Sequence, residues 1–106
     1  ATSLTSTGIL LGTPLFMAPE LWDEEPASPR SDVYALGLVL YELLAGEVPH
    51  AAAAARGLHQ LAAAVRQSDP PPLGGRNPTL PRPLAQAVER CLRRDPAQRF
   101  ADAGEL

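Results

Sequence analysis

Few side chains in this sequence could do chemistry by themselves, and their spacing keeps most of them apart. The single thiol, Cys91, would need a basic partner to act as a nucleophile, or further soft ligands to bind zinc. No Cys/His cluster has that spacing: Cys91 falls on an apolar stripe and reads as a core thiol, and His50 and His59 read as surface residues. Asp23-Glu24-Glu25 reads as a solvated turn. Thr2, Ser3, Thr5, Ser6 and Thr7 form a hydroxyl-rich strip with neither helical nor strand period, hence an irregular loop. Glu20 and Arg99 are distant in sequence, and position alone leaves them as two surface charges. A nucleotide phosphate has no evident cradle, because there is no G-x-G-x-x-G and no lysine anywhere.

The elements that must position these residues are helical. Ser31 is placed to cap a helix over 31–46, with Asp32 in its first turn, Gly46 as its stop and Pro49 beyond. Its apolar residues (Val33, Tyr34, Leu36, Leu38 to Tyr41, Leu43 and Leu44) cover nearly every face, so it is expected at the centre of a core. A weaker helix is predicted over 51–67, interrupted by Gly57, and a Pro-rich loop with Gly74-Gly75 over 68–82. Residues 83–106 are expected to carry the last helices. The first has Leu84, Ala87, Val88, Cys91 and Leu92 on one stripe and ends at Asp95-Pro96, and a further one starts at Asp102. Residues 1–22 hold at most one helical turn, between Pro14 and Leu21, and 23–30 read as loop. The fold class is mainly α.

Composition narrows the function. With 106 residues, 45% apolar and 20% charged, the chain has the make-up of one small soluble domain. Such a domain has a thin core, burying about 60–65% of its unfolded surface. A formal charge of -3 gives no broad attraction to nucleic acid or anionic membrane. One cysteine allows no internal disulfide and fits a reducing, cytoplasmic setting. The longest apolar stretch, Val33 to Gly46, is interrupted by Glu42 and falls short of the roughly 20 residues a membrane span needs. The start on Ala1 and the stop at Leu106, where a helical pattern begins, read as truncations.

Three ordered segments resemble the eukaryotic-type (Hanks-type) serine/threonine protein kinase family. Gly12-Thr13-Pro14-Leu15-Phe16-Met17-Ala18-Pro19-Glu20 resembles the family's peptide-binding loop ending in A-P-E. Ser31-Asp32-Val33-Tyr34-Ala35-Leu36-Gly37, continuing to Tyr41-Glu42-Leu43-Leu44-Ala45-Gly46 and Pro49, resembles its central buried helix. Cys91-Leu92-Arg93-Arg94-Asp95-Pro96-Ala97-Gln98-Arg99-Phe100 is similar to its D-P-x-x-R segment. A-P-E alone is a weak signal; three motifs at these intervals are a strong one. Tyr34 departs from the tryptophan of many relatives, and His50 from their apolar aromatic.

The resemblance implies the helical part of a kinase C-lobe, with 1–22 as activation segment and peptide-binding loop. It implies a buried ion pair between Glu20 and Arg99, and an Asp32 that anchors the backbone of a catalytic loop. Thr13 would play a supporting role beside the catalytic aspartate, and Gly12, Thr13, Pro14, Leu15 and Phe16 would bind substrate. The offsets of Thr5 and Thr7 from Gly12 resemble the paired activation-loop threonines of bacterial members, making both phosphorylation candidates. The partners implied are protein substrates and the rest of the kinase domain. ATP and Mg belong to the parent kinase and not to this chain, which lacks the family's lysine, H-R-D and D-F-G and is expected to be inactive alone. The alternative is a pseudokinase or a non-catalytic helical interaction module.

Overall fold

The computed structural model describes residues 14–106. Among them the fold is mainly α, with no strand: a 3-10 turn Pro14–Phe16, then α1 (Pro19–Trp22), α2 (Pro29–Ala45), α3 (Ala51–Arg56), α4 (Leu58–Gln67), α5 (Leu73–Arg76) and α6 (Arg82–Cys91). Two further 3-10 turns, Pro96–Gln98 and Ala103–Glu105, follow. Helix α2 is the axis, with α5, α6 and the turns packed around it, while α1 packs on α4.

Helix α2 starts two residues before the predicted point. Ser28, not Ser31, is its N-cap: the Ser28 side chain accepts from the Ser31 N–H at 3.2 Å, and the Ser31 hydroxyl accepts from the Ser28 N–H at 2.8 Å. This reciprocal box satisfies two donors that the helix itself cannot pair. Pro29, read from sequence as loop, sits in the first turn, where its fixed φ is an advantage. The other end matches expectation. Gly46 is left-handed (φ 93°) and its N–H donates to the Glu42 carbonyl at 2.9 Å.

Burial around α2 is one-sided. Val33, Tyr34, Gly37, Leu38 and Tyr41 are buried, whereas Val39 is 41% and Leu43 75% exposed. An apolar pattern on every face therefore overstated its burial among the described residues. The closest helix contact is with α6. A Cβ built on Gly37 would lie 2.6 Å from Cys91 Cβ and 3.0 Å from Leu92 Cδ2, so only glycine lets the two backbones approach this far. The core joins Tyr34, Leu38 and Tyr41 to Leu61 and Val65 of α4, Leu73 of α5, and Ala85, Val88 and Leu92 of the α6 region.

The expected single helix over 51–67 is two. Gly57, at φ 127° and ψ 173°, occupies a backbone region essentially reserved for glycine and breaks it into α3 and α4. The expected loop over 68–82 contains α5, although two of its four residues are glycines. Tertiary anchors override their low propensity, worth about 1 kcal/mol each. Leu73 is fully buried and donates its N–H to Glu89 Oε2 at 2.9 Å; Tyr41 donates to the Pro71 carbonyl, and Asn77 Nδ2 to the Leu44 carbonyl, each at 2.8 Å.

Helix α6 starts one residue earlier than predicted and ends at Cys91, short of the Asp95-Pro96 expected to stop it. Tight bonds from Leu92 N–H to Glu89 O and from Arg93 N–H to Arg90 O close it. Leu84, on the predicted stripe, is 41% exposed, and Ala85 is buried in its stead. The element expected from Asp102 is a single 3-10 turn, capped by Asp102 Oδ1 at 3.2 Å from the Glu105 N–H.

Candidate functional site

Glu20 is the second residue of α1, just after Pro19, and so is held at the start of a short helix next to the 14–16 turn. Arg99 follows the Pro96–Gln98 turn, whose entry is fixed by Asp95 Oδ1 accepting from the Ala97 N–H at 2.9 Å. That turn directs the Arg99 side chain inward. The two meet in a bidentate ion pair, Nη1 to Oε2 at 2.7 Å and Nη2 to Oε1 at 2.8 Å. The side chains are 0% and 14% exposed.

The remaining guanidinium donors go to main-chain carbonyls. Nε donates to Arg93 O at 2.6 Å, Nη1 to Arg30 O at 3.0 Å, and Nη2 to Arg94 O at 3.2 Å. A guanidinium carries five N–H groups, and all five have acceptors here. The Tyr34 ring lies 4.9 Å from Cζ, completing a cation–π floor. One side chain thus ties α1, the start of α2 and the segment after α6 together.

The electrostatics follow from this packing. Burial pushes the Glu20 carboxyl up, but the Arg99 hydrogen bonds, a backbone hydrogen bond and the Arg99 charge outweigh it, leaving the group below the ordinary carboxylate range. Burial pushes the Tyr34 hydroxyl up to about 12, against the opposing charge of Arg99. Burial also raises the Cys91 thiol, which keeps it protonated and unreactive.

Of the other residues singled out in the sequence, Thr5, Thr7, Gly12 and Thr13 lie outside the described residues. Pro14, Leu15 and Phe16 form the first 3-10 turn, and Leu15 and Phe16 pack half-buried against the core. Asp32 is exposed in the first turn of α2, and its carboxylate has no hydrogen bond among the described residues. The structure therefore brings Glu20 and Arg99 together and leaves Asp32 apart. His59 is exposed, but His50, expected at the surface, is half-buried, with its Nε2 enclosed and without a partner among the described residues.

Sequence reasoning did not find the three carbonyl acceptors of Arg99 or the Tyr34 floor. Main-chain acceptors carry no residue signature, so no pattern could have named positions 30, 93 and 94. Among the described residues no group of three or more His, Cys, Asp or Glu could hold a metal ion. No helix among them is long and apolar enough to cross a membrane.

Comparison with known proteins matches the family described as protein kinase domain over residues 2–105. The chain is 38% identical over 105 residues to the serine/threonine-protein kinase PknJ of Mycobacterium tuberculosis, covering 99% of this chain and 18% of that protein. It is 37% identical over 103 residues to PknL of the same species, covering 97% and 25%, and 39% identical over 103 residues to PknK of Mycobacterium bovis, covering 96% and 9%. The chain thus spans a quarter or less of each of these relatives. The match covers nearly all of this sequence, however, and in the described part it falls on the segments that the Arg99 brace joins. This chain belongs to the protein kinase domain family, in its bacterial, eukaryotic-type serine/threonine branch.

Proposed function

We propose that this chain forms the substrate-side part of a serine/threonine protein kinase that transfers the γ-phosphoryl group of ATP to protein hydroxyls. The bidentate Glu20–Arg99 brace carries this reading. It fixes the segment leading from the proposed substrate loop, Gly12 to Phe16, onto the helical floor. A peptide that must be held in line for phosphoryl transfer needs such a rigid bed, because positioning supplies much of the catalysis in this chemistry.

Within that reading the chain's own residues bind and orient. Thr13 positions the reacting groups, and Leu15 and Phe16 shape the loop that receives the peptide. Phosphorylation of Thr5 or Thr7 would add about -1.5 to -2 charges and order the loop by pairing with arginine. Asp32 is exposed and available to anchor a catalytic loop from the rest of the kinase domain. The open apolar face with Val39 and Leu43 suits coverage by that same remainder. ATP with Mg supplies the phosphoryl group. Its binding groups are assigned to the rest of the kinase domain, because this sequence has no lysine, no H-R-D and no D-F-G.

The test compares the intact parent protein with the 106-residue chain, using radiolabelled ATP, Mg and a basic protein substrate. Transfer is expected from the intact protein and none from the chain alone, whose melting should not respond to ATP and Mg. Peptide mapping of the active parent should find phosphate on Thr5 or Thr7. An intact protein unable to transfer phosphate would establish the non-catalytic alternative. A clear rise in the melting temperature of the isolated chain with ATP would overturn the assignment of nucleotide binding to the rest of the parent.

A further inference from the structure

His50 sits between two spaces. On one side is an open groove of about 540 Å3 that it shares with Glu47, Arg56 of α3 and Arg76 of α5. On the other is a cavity of about 10 Å3, lined by Leu15 of the 14–16 turn, Leu38 and Tyr34 of α2, and Leu61 and Val65 of α4. His50 is also the N-cap residue of α3, through its main chain alone: its backbone carbonyl accepts from the Ala54 N–H at 2.9 Å, and its imidazole makes no capping bond. Its Nε2 is enclosed and has no hydrogen-bond partner among the described residues.

A neutral imidazole tolerates that position with Nε2 as a bare acceptor. A protonated one does not, because both nitrogens then donate and the charge is partly removed from water. The small cavity offers little relief. It is at the lower limit for one water, and among the described residues Tyr34 is its only polar side chain besides His50. Nor does the groove supply a free counter-charge. Its one acid among the described residues, Glu47, already pairs with Arg76 at 3.1 Å, and Arg56 adds a second cation. Burial first, and the Arg76 charge second, hold the imidazole below its usual value.

We propose that His50 is a positioning residue whose neutral imidazole, packed across a shared cavity from Leu15, holds the substrate loop in place, so that its protonation weakens peptide binding. This rests on the substrate-side reading of the 12–16 segment. The imidazolium gains its hydrogen bonds by leaving the enclosed position. Leu15 then loses a wall of its cavity, and the 14–16 turn loosens from α2 and α4. The consequence falls on peptide affinity and not on the phosphoryl-transfer step.

The experiment uses the intact protein, with His50→Phe and His50→Gln, between about pH 8 and about pH 5, the acid end included because burial and Arg76 hold this imidazole below its usual value. Peptide KM is expected to rise several-fold on acidification in the native protein, with a smaller change in kcat, and the rise should be absent in both variants. Amide hydrogen exchange at residues 14–22 gives a readout free of catalysis: protection should fall at acid pH in the native protein only. If His50→Phe does not fold, His50→Gln, which keeps polarity but cannot be protonated, carries the comparison. Failure of all phosphoryl transfer at pH 8 would sink the kinase reading, leaving the exchange data to decide whether His50 holds the 14–16 turn. An acid-induced loosening equal in native and variant proteins would overturn the role of His50.

Discussion

Replacing Arg99 by alanine removes five hydrogen bonds, two to Glu20 and three to main-chain carbonyls, from a side chain with no solvent exposure. The Glu20 carboxylate stays behind, only 14% exposed, with no cation to face it. Breaking a buried pair by deleting one partner costs about 3–5 kcal/mol, because the other charge remains buried alone. The three bared carbonyls and the unstacked Tyr34 ring place the expected loss at the upper end, about 4–5 kcal/mol. Small domains have about 5–15 kcal/mol in total, so a large part of the stability should go. Equilibrium urea unfolding of the intact protein reads this, with Trp22, two positions from Glu20 and the only tryptophan of this chain, as the local reporter. Arg99→Lys should recover only part, since an ammonium has three donors for five acceptors and no planar fork. The double variant Glu20→Ala with Arg99→Ala should lose less than the sum of the single losses. A loss below about 1 kcal/mol for Arg99→Ala, the range of exposed ion pairs, would refute the brace.

The lowered Glu20 carboxyl sets a pH window. Its contribution is complete above its unfolded value, near 4.5, and disappears as pH falls through the lower folded value, so the stability gap between native protein and Glu20→Gln should close on acidification. A gap that persists at the acid end of a urea titration would contradict that sign. Gly37→Ala forces a Cβ to 2.6 Å from Cys91 Cβ; overpacking should exceed the helix-propensity gain and cost a net of about 1–2 kcal/mol, measured by thermal melting. Glu24 has φ 65° just after α1, a left-handed conformation that strains any residue with a side chain. Glu24→Gly should therefore stabilise the protein by up to about 1 kcal/mol, and a clear loss would argue against strain there. Arg94→Ala, which breaks an exposed pair with Asp69, should change stability by less than about 1 kcal/mol in the same assay.

What the sequence disclosed, and what it withheld, follows the range of the interactions involved. Gly46 was legible as a helix stop because the left-handed conformation there is a local demand. The start of α2 was harder, since Ser28 and Ser31 are reciprocal partners in one capping box and either looks like a cap. Helix α5 was invisible for a different reason: glycines at 74 and 75 argue against it, and what holds it are contacts with Glu89, Leu44 and the Leu73 pocket, all distant in sequence. The apolar surround of α2 promised burial on every side, yet Leu43 is 75% exposed among the described residues. At the candidate site, Glu20 and Arg99 were paired only through the motifs that contain them. The enclosed Nε2 of His50 had no precursor in any local pattern.

Three of the five bonds made by Arg99 end on the backbone oxygens of residues 30, 93 and 94. Those residues are arginines whose own side chains are exposed. The fastening therefore reads chain direction and not residue identity at these points. Substitutions at 30, 93 and 94 can recolour the charge of the outer surface while the oxygens stay where Arg99 needs them. A lineage could in this way exchange one set of external contacts for another without reopening the joint. The charge carried at those three positions is thus separable from the joint beneath, which asks of them only a backbone oxygen.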